Sequence, residues 1–239
     1  MKGLPYSPLA WKLFQVAFAP RMRMGVHGIR MAGLPRQLDP DQPLLLVSNH
    51  VSWWDGFILR SLQQALRPED PFHTVMLERE LGRRPFLRLL GGVGLTPGSP
   101  GSLKGLLREL TEARERAPGL TVLFFPQGRI WPSHRRPLGF QEGIRVVARA
   151  LSPVTVLPVG LHLEPGRWPA PTAYLSISEP ISVRRREISP RLLETKVQEE
   201  LDAIRSFLAF QGEAADESWP GPYESLPSYP ETLATAETP

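Results

Sequence analysis

The feature that most constrains the fold of this chain is an alternation. From residue 43 onward, short apolar runs of strand character exchange with stretches of helical periodicity. Strands are expected at 44–48, 74–77, 93–96, 121–125, 154–163 and 173–177, and helices from residue 55, near 80–90, over 103–116 and over 141–151. Runs such as Leu44-Leu45-Leu46-Val47 and Thr121-Val122-Leu123-Phe124-Phe125 read as core strands. Helical crossovers between successive strands require them to run the same way. The pattern predicts an α/β fold with a mixed, largely parallel central sheet flanked by helices. A closing helix is expected over 190–210, where Leu192, Leu193, Val197, Leu201, Ile204 and Leu208 recur at helical spacing.

A chain of 239 residues with 41% hydrophobic content suits one domain with a sizeable core and small appendages. No apolar run approaches the roughly 18 residues that cross a bilayer, and the N-terminus carries no signal-peptide cleavage pattern, so a cytoplasmic protein is expected. The chain has no cysteine, which excludes disulfides, thiolate metal sites and a cysteine nucleophile. Its formal charge of +4 hides an asymmetry: the six acids from residue 213 onward face no Lys or Arg there, and the remaining body carries ten more bases than acids. Such a body is drawn to anionic lipid surfaces or phosphate-rich ligands. Nothing resembles a helix-turn-helix, a zinc finger or an aromatic RNA-binding strand, so nucleic acid is not expected as a partner.

Three regions follow. Residues 1–34 hold an N-terminal amphipathic helical segment in which Trp11, Leu13, Phe14, Val16, Ala17 and Phe18 precede Arg21 and Arg23. This segment suits a membrane surface or packing on the body. Residues 35–211 form the α/β domain, and 212–239 an acidic, proline-rich tail expected to be disordered.

Candidate chemistry begins where the first core strand ends. Directly after Leu44–Ser48 stands Asn49-His50-Val51-Ser52-Trp53-Trp54-Asp55, and Asn49 is the only asparagine in the chain. Two side chains five residues apart on an α-helix point about 140° apart. His50 and Asp55 therefore meet only if His50 closes a strand and Asp55 opens the following helix. The carboxylate would then hold one imidazole nitrogen and leave the other free as a base. The alternative is that Asp55 only caps the helix. A second polar turn, Pro126-Gln127-Gly128-Arg129, follows the core strand that ends at Phe125. With both strands parallel, the two turns share the sheet edge where α/β folds place ligands. Gly128 admits a close backbone approach, and Arg129, Arg135 and Arg136 are candidate anion contacts.

Together these blocks resemble the glycerolipid acyltransferase family that includes lysophosphatidic acid acyltransferase, over about residues 10 to 185. The hallmark of that family is a His-x-x-x-x-Asp block, often preceded by Asn, and a later Phe-Pro-Glu-Gly-Thr-Arg block. Asn49, His50 and Asp55 complete the first. Phe125-Pro126-Gln127-Gly128 keeps the frame of the second, with Gln127 in the Glu place, Arg129 in the Thr place and Ile130 in the Arg place. Glu80-Leu81 with Pro85 and Gly91-Gly92-Val93 resembles the intermediate segment, with Pro97 where an arginine is usual, and Val156-Leu157-Pro158-Val159 resembles the last. The resemblance implies transfer of an acyl group from acyl-CoA or acyl-carrier protein to a lipid hydroxyl at the inner face of the cell membrane. It implies His50 as general base, Asp55 as its partner, and Asn49, Phe125, Pro126, Gln127, Gly128 and Arg129 around the acceptor; neither a metal nor a cofactor is required. The changed Glu and Arg positions bear on a glycerol-phosphate acceptor, so a neutral glycolipid or a glycosylated carotenoid stands beside a lysophospholipid. A catalytically silent lipid-binding scaffold and an esterase using Ser52 are the readings from other classes. Trp53 and Trp54 are candidates to wall an acyl or sugar channel.

Overall fold

The computed structural model describes residues 6–184 and 188–226. Among them, eight strands form one sheet. Its path runs β1 (Gly28–Ala32), β7 (Thr172–Ile177), β6 (Val154–Glu164), β2 (Leu44–Ser48), β5 (Thr121–Phe124), β3 (Phe72–Leu77) and β4 (Gly92–Leu95). The short β8 (Ile181–Val183) pairs with the start of β6. From β6 to β4 every pairing is parallel, whereas β7 and β8 run antiparallel to β6. This is the mixed, largely parallel sheet that the alternation predicts.

Side-chain alternation along each strand divides the interior into two cores. Leu44 and Leu46 of β2 join Ile58, Leu59 and Leu62 of α2 (Asp55–Leu66), beside Trp11 of α1 (Pro8–Gly25). Leu45 and Val47 face the other way. They meet Leu106 and Leu110 of α5 (Pro100–Arg116) and Ile144 and Val147 of α6 (Gly143–Leu151). Every residue of β2 is buried, and each such leucine or valine contributes about 2 kcal/mol on leaving water. β2, like the buried β5 beside it, is therefore a firmly held place from which to hang a turn.

Several elements differ from the expectation. The helix expected near 80–90 is two short ones, α3 (Glu78–Arg83) and α4 (Phe86–Leu89), separated at Pro85, which has no N–H to continue a helix. α5 starts earlier, at Pro100, because the Ser99 hydroxyl accepts from the Ser102 N–H and proline suits the first helical position. α6 starts two residues late, since the Gln141 N–H donates to the Pro126 carbonyl at 3.1 Å. β1 has no apolar run: it is a half-buried edge strand paired in parallel with β7. The first 34 residues thus include a strand of the domain itself.

α1 packs on the body through Trp11, Phe14 and Phe18. The Trp11 indole donates to the Leu90 carbonyl, and Phe14 stacks on Phe57 with ring centres 5.4 Å apart. Its other face leaves Leu9, Leu13 and Val16 more than 60% exposed, and Phe86, stacked on Phe14, and Leu89 are exposed as well. Among the described residues no helix is long and apolar enough to cross a membrane.

The closing helix is α7 (Pro190–Gln211). Beyond it the chain does not part from the body as its composition suggests. A short helix, α8 (Ala215–Ser218), brings Asp216 to the Tyr174 hydroxyl at 2.8 Å and to Arg30 at 3.4 Å. Trp219 then packs against Tyr174 and Phe207. Two basic partners, Arg30 at Asp216 and Arg167 at Glu217, and the rings of Tyr174 and Phe207 hold this acidic stretch in place. The rest of the expected tail, 227–239, lies outside the described residues.

Candidate active site

β2 and β5 are neighbours in parallel register, with Val47 opposite Phe124 at the last pair. The chain therefore leaves both strands at one edge and builds two adjacent turns there. The first spans residues 49–54, and α2 begins at Asp55. Asp55 is fully buried. Its carboxylate does not cap its own helix; it reaches back and gathers the turn. Oδ2 accepts from the Val51 N–H at 2.6 Å, the Ser52 N–H at 2.9 Å and the His50 ring at Nδ1, 2.8 Å away. Oδ1 accepts from the Ser52 hydroxyl at 2.5 Å.

A carboxylate only accepts hydrogen bonds, so the contact assigns the ring proton to Nδ1 and leaves Nε2 with its lone pair. Nε2 has no hydrogen-bond partner among the described residues, and the side chain keeps about a fifth of its surface open. The opposite ring face is fixed by Phe125, stacked at 4.2 Å and within 15° of parallel. His50 is thus oriented through one nitrogen and one face, and free at the other nitrogen. Ser52 is tied to Asp55 and, through its hydroxyl, accepts from the Trp54 N–H. Held in that way, it does not stand as a nucleophile beside the imidazole.

Two side chains expected at the acceptor have other work. The Asn49 amide donates to the Leu161 carbonyl at 2.8 Å and accepts from the Leu161 N–H at 2.9 Å. It continues the β2–β6 ladder past the last strand residue, only 2% exposed. Gln127 is 3% exposed. Its oxygen accepts from the His50 N–H at 2.7 Å and its nitrogen donates to the Leu138 carbonyl at 2.9 Å. Both residues position backbone, and their buried amides are already satisfied. Pro126 is buried beneath the same turn.

The remaining candidates lie on the exposed side. Gly128 has φ of +69°, a left-handed conformation that glycine adopts without strain, and it turns the chain outward. Arg129 and Arg135 both stack on Trp131, their guanidinium carbons 3.9 and 3.5 Å from the ring centre. The Trp131 N–H donates to the His50 carbonyl at 2.9 Å, so this cationic stack borders the imidazole turn. Arg136 is directed elsewhere, to Asp202 and to the Ser133 and Arg135 carbonyls. Of the remaining histidines, His73 and His162 are buried, while His27 and His134 are exposed.

Trp53 is partly exposed at the lip of the first turn, and Trp54 packs so closely on Gly25 that a Cβ there would lie 2.3 Å from the indole. Behind these rings a cleft of about 220 Å³ opens between α1 and α2, lined mainly by Trp11, Phe14, Phe18, Met22 and Phe57. A larger cleft of about 610 Å³ lies at the opposite edge of the sheet, around Arg36, Arg67 and Tyr223.

Sequence reasoning missed Ser52 as a support of Asp55, although a serine three residues before a helix-opening acid is a readable signal. Trp131 and Leu138 carry no such signal. They are brought to the site by the fold alone.

Fold and site together define an α/β protein with a histidine–carboxylate pair at the carboxyl edge of a mostly parallel sheet. The Acyltransferase family model matches residues 29–162, more than half of the chain, and the protein belongs to that family. The matched stretch contains both turns. Among curated proteins, none matches the chain closely enough to be compared with it.

Proposed function

We propose that the protein is a peripheral membrane O-acyltransferase that moves a fatty acyl group from acyl-CoA or acyl-carrier protein to a hydroxyl of a lysophospholipid. The observation that carries this reading is the His50–Asp55 pair, with Nδ1 bound to a buried carboxylate and Nε2 free. In the reaction, Nε2 takes the proton of the acceptor hydroxyl as its oxygen attacks the thioester carbonyl. The tetrahedral intermediate collapses, the C–S bond breaks, and the imidazolium returns the proton to the leaving thiolate. Asp55 keeps the ring in the required tautomer and stabilises the imidazolium between the two steps. Backbone amides or guanidinium groups of the second turn would stabilise the oxyanion.

An anionic acceptor is favoured by the stacked Arg129 and Arg135 beside the His50 turn. A neutral glycolipid keeps the support of the changed Glu and Arg positions but loses that of the Gln127 amide, which is engaged internally. The apolar cleft behind Trp53 suits part of an acyl chain. The exposed Leu9, Leu13 and Val16 of α1, with Phe86 and Leu89 also exposed, support docking on a membrane, which we propose is at its cytoplasmic face.

The test is product analysis by mass spectrometry, incubating wild type and His50→Ala with acyl-CoA or acyl-carrier protein and a panel of lysophosphatidic acid, other lysolipids and glycolipids. Acylated lysophospholipid that falls by about 10³-fold in the variant is the expected result. Product from a glycolipid alone would overturn the acceptor, undiminished product in the variant would move the base elsewhere, and no product with any acceptor would indicate a silent lipid-binding scaffold.

A further inference from the structure

The stretch 125–142 contains neither helix nor strand. So long an irregular segment keeps one shape only if its polar backbone groups are satisfied from outside. Here the outside partner is α7, and it reaches the segment at three levels. Near the start of the helix, the Glu194 carboxylate accepts from the N–H groups of Gly139 and Phe140, each at 2.9 Å. Further along, Val197 and Leu201 pack against Leu138 in a small apolar cluster of their own. Beyond these, Asp202 pairs with Arg136 at 3.3 Å, and Arg205 donates to the Ser133 carbonyl at 3.4 Å.

The contacts do not stop at the segment. The Leu138 carbonyl, adjacent to the amide that Glu194 holds, accepts from Gln127, and Gln127 in turn accepts from the His50 N–H. A continuous path of polar contacts and one residue of backbone joins Glu194 to the main chain of His50. Two bonds to an ionised acceptor make Glu194 the strongest point of that path outside the buried core.

We propose that α7 is a positioning element for the acceptor side of the site, with Glu194 as the positioning residue that anchors the second turn against the first. This rests on the reading of the second turn as the acceptor-binding segment. Glu194 itself touches no reacting group. Its effect passes through Gly139, Phe140 and Leu138 to Gln127, and through the loop's shape to the Arg129–Trp131–Arg135 stack. Acceptor specificity is then governed in part by a helix that follows the last strand of the sheet.

Two readouts on the full chain test this, using Glu194→Ala and the conservative Glu194→Gln, which keeps one accepting oxygen. The first is amide hydrogen exchange without substrate. Glu194→Ala should raise exchange over 128–140 by about tenfold and leave α2 and α5 unchanged. The second is steady-state transfer from acyl-CoA to lysophosphatidic acid. Glu194→Ala should raise the acceptor KM by about tenfold, with the donor KM unchanged and kcat reduced less than threefold, and Glu194→Gln should recover most of the loss. Unchanged exchange would remove the anchor itself. Faster exchange with both KM values unaltered, or with donor and acceptor KM raised alike, would overturn the acceptor-side role. If the wild type transfers no acyl group, the acceptor-side role falls with the proposed function, while the exchange result separately decides whether α7 holds the segment.

Discussion

The two edges of the sheet are closed by opposite charges. At the amino edge, before β2 and β5, the buried Arg67 guanidinium donates to the carbonyls of Gln42 at 2.8 Å, Gly119 at 3.1 Å and Asp39, with Asp70 at 3.5 Å. At the carboxyl edge, after the same strands, the buried Asp55 carboxylate gathers amides and a hydroxyl. Each ion ties together the loops at its own edge. They differ in what is left over. Arg67 ends in carbonyls and a carboxylate, which have nothing to react, whereas Asp55 ends in an imidazole with an unspent nitrogen. The larger cleft is at the Arg67 edge and the chemistry-bearing side chain at the other. Unfinished hydrogen bonding, more than volume, marks the place to look for a reaction.

This contrast is open to attack by mutation. The largest effect is expected for Asp55→Asn, which keeps an accepting oxygen for the turn but offers an N–H to the imidazole. Transfer should fall by about 10³- to 10⁴-fold, as loss of the orienting acid does in histidine-based catalysis, measured as product per folded molecule. Retention of activity would show that the carboxylate serves only the turn. Next is Arg67→Ala, which strands several buried carbonyls and should cost about 3–4 kcal/mol of stability in urea unfolding. Activity per folded molecule at low temperature should be unchanged, and a selective loss of turnover would join the two edges functionally.

The smallest expected effect concerns His73, in the amino half of β3. Burial holds its imidazole down to about 4, partly opposed by a hydrogen bond with the Gly91 backbone and reinforced by Arg116. The unfolded chain takes up this proton near the ordinary value of 6.5 and the folded chain only near 4. The contribution to stability is therefore complete above pH 6.5 and lost as the pH falls towards 4, about 3 kcal/mol in all. Denaturant unfolding at pH 7 and 4.5 should show this slope flattened in His73→Phe. An unaltered slope would assign the acid sensitivity to other groups, among them His162, whose imidazole burial also pushes down.

How much of this was legible in the sequence depended on range. The β2–turn–α2 unit is local: an apolar run, a histidine and an acid five residues on narrow the choice to Asp55 capping its helix or Asp55 holding His50, and the structure decides for the second. The shared edge of the two turns followed from parallel pairing, which is a rule of connection and needs no contact information. The roles of Asn49 and Gln127 were out of reach, since an amide reads the same whether it waits for a ligand or bonds to Leu161 and Leu138. β1 was hidden because Gly28, Arg30 and its half-exposed position erase the apolar pattern that marks a core strand. Glu194, 55 residues from Gly139 in sequence, is one acid among several on α7, and only the fold singles it out.

The stretch that follows α7 bears on how the end of the sheet is finished. β1 is the end strand of the sheet, and an end strand offers a row of backbone donors and acceptors to any passing chain. Just past β1, the Gly33 N–H donates to the Glu224 carbonyl at 2.7 Å and the Leu34 N–H to the Pro222 carbonyl at 2.8 Å. Asp216 covers Arg30 of the strand itself. The acidic extension thus occupies the backbone donors just past the end strand and pairs with a side chain of that strand, so part of this margin is already engaged within the chain. What reads in composition as an idle appendage works, in the folded molecule, as a clasp on the end of the sheet.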